Sequence, residues 1–148
     1  MARYIAQIRT PRPADEVFGY LADMRNAPEW DPSIRRVVQV EGDGGGVDAV
    51  FDVTLAGVRG RETTFRYRTM SFDPPKVLAL RAETQALISY DRVRVTGEGD
   101  RSVVVYEADL QLSGWRRMAD PLLTRMFDRY GDQAADGLAR VLDGERIV

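Results

Sequence analysis

The chain has 148 residues and a net charge of −2, which is one domain's worth of sequence (1–148) without the basic excess that a nucleic-acid binder carries. A chain of this size buries about 70% of its unfolded surface and still has room for an internal cavity. No apolar run approaches the ~20 residues of a membrane span, and the opening MARYIAQIRTPRP lacks a signal-peptide core, so a cytoplasmic protein without stable membrane insertion is expected.

The absence of cysteine excludes disulfides, thiolate catalysis and Cys-ligated metal. The absence of histidine removes the commonest general base and the commonest metal ligand. Chemistry in this chain must rest on carboxylates, tyrosines, arginines or water. Twenty arginines accompany a single lysine, Lys76, a bias that suggests a GC-rich bacterial genome and makes Schiff-base catalysis improbable.

Residues 3–10 alternate, with Tyr4, Ala6 and Ile8 opposite Arg3, Gln7 and Arg9, as in a half-buried strand. Pro13 suits a helix's first turn, and Asp15 and Glu16 place negative charge at its positive end. Val17, Phe18 and Leu21 give that short helix one face to bury. After Asp23 the helix breaks, Asn26 offers a second N-cap, and Asp31-Pro32 stops further helix beyond Trp30.

Six further strands are expected, over 34–41, 48–55, 61–72, 77–83, 87–96 and 102–112. Gly42–Gly46, 56–60, Asp73-Pro74-Pro75-Lys76 and Gly97–Asp100 supply the turns. Pairing Phe51 with Phe65 and Val53 with Thr63 keeps apolar residues together and places Tyr67 on the face of Phe51. Opposing Val93 to Val104 sets Asp91 beside Tyr106 and Ser89 beside Ala108. Arg92 and Arg94 then meet Glu107 and Asp109 on the outer face. From Asp120-Pro121 the period becomes helical. Leu122, Met126, Tyr130, Ala134, Leu138 and Val141 form an apolar stripe, widened by Leu123, Phe127 and Leu142, on a helix of about twenty residues that is polar on its other side. Gly131 and Gly137 either let the sheet approach this helix closely or are simply tolerated in it.

A strand, PADEVFGYLAD, NAPEWDPSI and then a long run of strands resembles the START-like helix-grip superfamily, in particular the polyketide cyclase/dehydrase and lipid-transport group of SRPBCC proteins. The resemblance runs over essentially the whole chain. It implies an α+β fold in the order β-α-α-β6-α, with a seven-stranded curved antiparallel sheet wrapped around a long C-terminal helix. It also implies a cavity between sheet and helix; no cofactor is expected, and the chain is expected as a monomer or weak homodimer.

The inward set contains Phe51, Val53, Leu55, Phe65, Leu78, Leu80, Leu87, Leu110, Leu122, Met126 and Tyr130, interrupted by Tyr67, Thr69, Ser89, Asp91 and Tyr106. An apolar wall with a few fixed polar groups describes a small-molecule site, and it equally describes a filled core with tyrosine hydroxyls at its rim. Taken as a site, Phe51, Val53, Phe65, Tyr67, Leu80, Ser89, Asp91, Tyr106, Leu110, Leu122, Met126 and Tyr130 are its candidate ligand-binding residues. Asp91 and Tyr106 are the candidates for acid/base work; the alternative for Asp91 is a slipped register that turns it to solvent. Trp30 and Trp115 bracket the cavity mouth or pack as a hinge, and the long helix and the loops near Trp30 and Gly57 would gate entry. No nucleophile motif, paired-carboxylate signature, phosphate loop or metal-ligand cluster is present in the sequence.

Three functions are therefore expected in order. The first is binding of a small hydrophobic molecule such as a lipid or polyketide. The second is a cofactor-independent polyketide cyclase or dehydratase acting in the same cavity. The third is a protein-interaction module, ranked last because few apolar residues fall on the outer face.

Overall fold

Alternation of apolar and polar residues sets the first strand, β1 (Ala2–Thr10), in which Tyr4, Ala6, Ile8 and Thr10 are buried and the residues between them face solvent. The computed structural model describes residues 2–57, 60–114 and 121–147. Helix α1 (Ala14–Ala22) buries Val17, Phe18, Leu21 and Ala22. A 3-10 turn, Met24–Glu29, follows directly. Its cap is Asp23, whose carboxylate accepts from the Arg25 backbone N–H at 3.0 Å. The expected cap, Asn26, lies inside the turn and donates its side-chain amide to the Tyr20 carbonyl at 3.0 Å. Asp23 wins the role because the chain is extended there and its carboxylate reaches the N–H two residues on.

The remaining strands are β2 (Ile34–Glu41), β3 (Val50–Ala56), β4 (Glu62–Asp73), β5 (Val77–Glu83), β6 (Leu87–Glu98) and β7 (Arg101–Leu112). The long helix α2 (Pro121–Val141) comes next, and β8 (Glu145–Ile147) ends the described chain. All strands join one antiparallel sheet in the order β2-β3-β4-β5-β6-β7-β1-β8. This is the α+β helix-grip arrangement with eight strands, where seven were expected. The eighth arises from the way α2 ends. Asp143 takes a left-handed φ of 54°, and Gly144 N–H donates back to the Ala139 carbonyl at 2.8 Å. That αL stop reverses the chain and lays Glu145–Ile147 along Gln7–Arg9 of β1. Three residues are too few for alternation to betray a strand.

Both expected hairpin registers differ from the observed ones by two residues. Phe51 faces Tyr67 and Val53 faces Phe65. Val93 faces Tyr106, Asp91 faces Ala108, and Ser89 faces Leu110. The β6–β7 shift follows from its turn. Glu98 pairs with Arg101, so the loop is only Gly99-Asp100, with Gly99 supplying the positive φ of 67° that a two-residue hairpin needs. A two-residue shift leaves every side chain on its assigned face.

On the outer face Arg66 pairs with Asp52 at 2.8 Å, Arg92 with Glu107 at 3.5 Å, and Arg94 with Glu107 at 3.7 Å. Asp109 turns instead to Arg3 on β1, at 2.8 Å. Val38, Val40 and Met70 are also exposed, so the outer face is more apolar than the alternation suggested.

Helix α2 divides into two halves. Its C-terminal half buries Ala134, Ala135, Gly137, Leu138 and Ala139 against the core. Small residues allow that seat. A Cβ on Gly131 would lie 2.5 Å from the Tyr4 ring, and one on Gly137 would overlap the Trp30 carbonyl. Close approach is thus the reason for both glycines. The N-terminal half, up to Tyr130, is half-buried or exposed and spans open space. The lead-in expected at Trp115–Ala119 lies outside the described residues. Among the described residues, no helix is long and apolar enough to cross a membrane.

Candidate functional site

Between the concave face of the sheet and the N-terminal half of α2 lies a cavity of about 240 Å³. Its walls are mainly apolar: Leu55 and Ala56 of β3, Phe65 of β4, Leu87 of β6, Ala108 and Leu110 of β7, and Phe127, Gly131 and Ala134 of α2. Tyr4, Asp31, Ser33, Tyr67, Ser89, Asp91, Tyr106 and Tyr130 carry the polar atoms. The lower limit of the usual small-molecule site is about 300 Å³, so the occupant implied by this volume is compact.

Seven of the twelve candidate ligand-binding residues line this space: Phe65, Tyr67, Ser89, Asp91, Tyr106, Leu110 and Tyr130. Five do not. Phe51 and Val53 are 0% and 1% exposed and Leu80 is 5% exposed; they pack into the solid core behind the cavity. Leu122 is 68% exposed, and Met126 is half-buried outside the lining. The lining face of α2 runs through Phe127, Tyr130, Gly131 and Ala134, a 0, +3, +4, +7 series that leaves Leu122 and Met126 off its axis.

Register explains how the polar groups meet. Ser89 and Asp91 sit two apart on β6 and therefore share the inward face. Across the sheet, Ser89 pairs with Ala82, which pairs with Tyr67, so the Tyr67 hydroxyl reaches Ser89 Oγ at 2.9 Å. Asp91 pairs with Leu80 on one side and Ala108 on the other, both apolar. Its carboxylate consequently has no hydrogen-bond or ion-pair partner among the described residues. Burial, then the charges of Asp31 and Asp109, push its pKa up to about 7. The expected solvent-facing alternative for Asp91 does not occur; it lies in the wall.

Tyr106, 8% exposed, stacks edge-on against Trp30, with ring centroids 5.9 Å apart at 80°. Its hydroxyl has no hydrogen-bond partner among the described residues. Burial first, then Asp91 and Asp31, hold its pKa well above the ordinary phenol value. The same two causes, burial and then Asp91, raise Tyr67. Thr69 Oγ1 is buried without a partner. Trp30 serves here as a packing wall behind Tyr106; Trp115 lies outside the described residues.

Asp31 was read from the sequence only as part of a helix stop. Its carboxylate accepts from the Ser33 N–H at 2.9 Å and from Ser33 Oγ at 2.7 Å, an Asx turn that aims it at the cavity. Burial raises its pKa, and the two Ser33 bonds oppose that rise. The signal was the D-P-S triplet, which marks such a turn. Tyr4 also lines the cavity. Its hydroxyl donates to Asp132 at 2.6 Å and accepts from Arg146 at 2.9 Å, which ties β1 to α2 and β8. Among the described residues, no group of three or more acidic side chains converges as a metal site would.

Residues 1–143 match the model of a family described as polyketide cyclase/dehydrase and lipid transport. No curated protein matches the chain in sequence. Among solved structures, a START superfamily protein from Mycobacterium smegmatis superposes with a TM-score of 0.77 at 11% identity, over 97% of this chain and 98% of that one. The Zhui aromatase/cyclase from Streptomyces sp. R1128 gives 0.72 at 17% identity, over 95% and 93%. A major latex-like protein from Panax ginseng gives 0.68 at 15% identity, over 95% and 97%. At these identities the structural likeness establishes the fold.

Proposed function

We propose, from the premise that the chain belongs to the polyketide cyclase/dehydrase and lipid transport family, that it binds a small hydrophobic molecule in the cavity under the N-terminal half of α2. The observation that carries this reading is an apolar space furnished with polar groups that the protein itself leaves unanswered: the Asp91 carboxylate and the Tyr106 hydroxyl. Buried polar atoms in a finished core find partners. Here they face a void, as groups that orient a ligand do. A ligand burying about 300 Å² of apolar surface gains about 7.5 kcal/mol, one or two hydrogen bonds add about 1–3 kcal/mol, and an association cost of about 4 kcal/mol then leaves a Kd between roughly 20 μM and 1 mM.

The neutral dye N-phenyl-1-naphthylamine tests the reading. Its fluorescence should rise and shift to the blue on addition of the protein. Ala108→Leu, which fills the space beside Asp91, should abolish that change while the protein stays folded. Equal dye binding by the wild type and Ala108→Leu would place the dye elsewhere and sink the assignment.

A second reading is favoured by the placement of Asp91, a carboxyl without a partner among the described residues in the cavity wall, where burial raises its pKa to about 7. A carboxyl poised there can take a proton from carbon and pass it to the ketone oxygen that becomes the aldol hydroxyl, then take a second carbon proton and deliver it to that hydroxyl as it leaves as water, the transfers that aldol closure and dehydration of a poly-β-ketone require. The similarity to aromatase/cyclases supports this chemistry in the same cavity. In that case Asp91→Asn would lower turnover of a poly-β-ketone mimic by about 10²–10⁴-fold with its binding retained. Unchanged turnover would remove Asp91 from the chemistry.

A further inference from the structure

We propose that the cavity selects a hydrophobic ligand bearing one cationic nitrogen, seated between Asp31, Asp91 and the Tyr106 hydroxyl. This rests on the reading of the cavity as a binding site and goes beyond it by naming the ligand's charge. Two carboxylates face the same space from different elements, Asp91 from β6 and Asp31 from the loop after the 3-10 turn. No arginine or lysine is among the described residues that line the cavity. Arg92 and Arg94, the neighbours of Asp91 on β6, point to the opposite face and are engaged by Glu107.

Tyr106 supplies an independent observation. It is 8% exposed, it faces the cavity, and its hydroxyl oxygen has no partner among the described residues, so it can accept from a ligand N–H. The walls add a third feature. Six aromatic side chains, Tyr4, Phe65, Tyr67, Tyr106, Phe127 and Tyr130, line the space, and a ring that meets the ligand with its face attracts a cation. An anionic ligand would bring a third negative charge into about 240 Å³ already shared by two carboxylates. Above pH 7, where Asp91 is ionised, neutral ligands would satisfy Tyr106 and leave the charges of Asp31 and Asp91 without a counter-charge. A protonated amine answers all three demands. The mutual repulsion by which Asp31 raises Asp91 would also be relieved by it.

Three naphthalenes of one skeleton test the proposal: 1-naphthylmethylamine, 1-naphthalenemethanol and 1-naphthoate. They are titrated into the full chain by calorimetry at pH 8 and low salt. The amine should bind at least about tenfold tighter than the alcohol, and the naphthoate at least about tenfold weaker than it. Asp91→Asn should bring amine and alcohol to within about threefold of each other, chiefly by weakening the amine. Should that variant fail to fold, the wild-type ranking and Asp31→Asn decide. Naphthoate binding as tightly as the amine would overturn the proposal, as would an amine preference that survives Asp91→Asn. If none of the three binds while N-phenyl-1-naphthylamine does, the charge assignment falls and the binding site stands. Were all four probes to fail, both would fall.

Discussion

Replacing Asp91 by asparagine should make the protein more stable at alkaline pH and flatten one component of its stability profile. The sign follows from linkage. In the unfolded chain the carboxyl titrates near its ordinary value of about 3.9. In the folded chain burial and Asp31 hold it at about 7. Between these values the folded state keeps a proton that the unfolded state has lost, so stability falls as pH rises and the loss is complete above pH 7. Each pH unit is worth about 1.4 kcal/mol, so the window from pH 5 to 8 spans two titrating units and about 2.7 kcal/mol at most. Cavity water screens the charge, so about 1–2.5 kcal/mol is the expected figure. Urea unfolding of the wild type and of Asp91→Asn at pH 5 and pH 8 gives the difference directly. The buried amide costs the variant the same at both pH values, and the ion pairs of the surface cancel between the two proteins. If the gap between the two proteins is the same at pH 5 and pH 8, Asp91 is an ordinary solvated carboxylate and its placement in the wall is wrong.

Three other substitutions examine the frame around the cavity. Gly137→Ala would set a methyl group against the Trp30 carbonyl and force α2 outward, at a cost of about 1–3 kcal/mol measured from the urea midpoint; an unchanged midpoint would refute the close seat. Tyr4→Phe removes the hydroxyl shared by Asp132 and Arg146 and should cost about 1 kcal/mol. Hydrogen exchange should then quicken in β8 ahead of β4, and uniform exchange across the sheet would argue against a tie between β8 and α2. Thr10→Val leaves the Leu142 carbonyl without the 2.6 Å bond it receives from Thr10 Oγ1, a buried loss of about 1–3 kcal/mol that thermal unfolding would detect.

Strand faces were legible in the sequence and strand neighbours were not. Alternation has a period of two, so it assigns Asp91 and Tyr106 to the inner face whether Val93 meets Val104 or Tyr106. Only the length of the Gly99-Asp100 turn decides between those pairings, and a four-residue polar stretch conceals where the strands resume. The inward carboxylate was readable from the same alternation. Asp31 was not, because a loop residue has no periodicity; its aim depends on the turn that Ser33 closes. On α2 the apolar stripe is wide enough to accommodate two axes, one through Met126 and one through Phe127. Packing against Tyr4 and Trp30, through Gly131 and Gly137, selects the second. Phe51, Val53 and Leu80 were placed on the correct face but lie where core fills it, a depth that alternation does not encode.

The most direct single experiment is native mass spectrometry of the protein as purified, set against its denatured mass and followed by organic extraction. The expected result is an excess mass in the native spectrum that disappears on denaturation, that is recovered as a small hydrophobic molecule, and that is missing from Ala108→Leu. A bare native mass, together with no dye response that Ala108→Leu can abolish, would contradict the cavity reading. Attention would then pass to the exposed Val38, Val40 and Met70 as a surface for a protein partner.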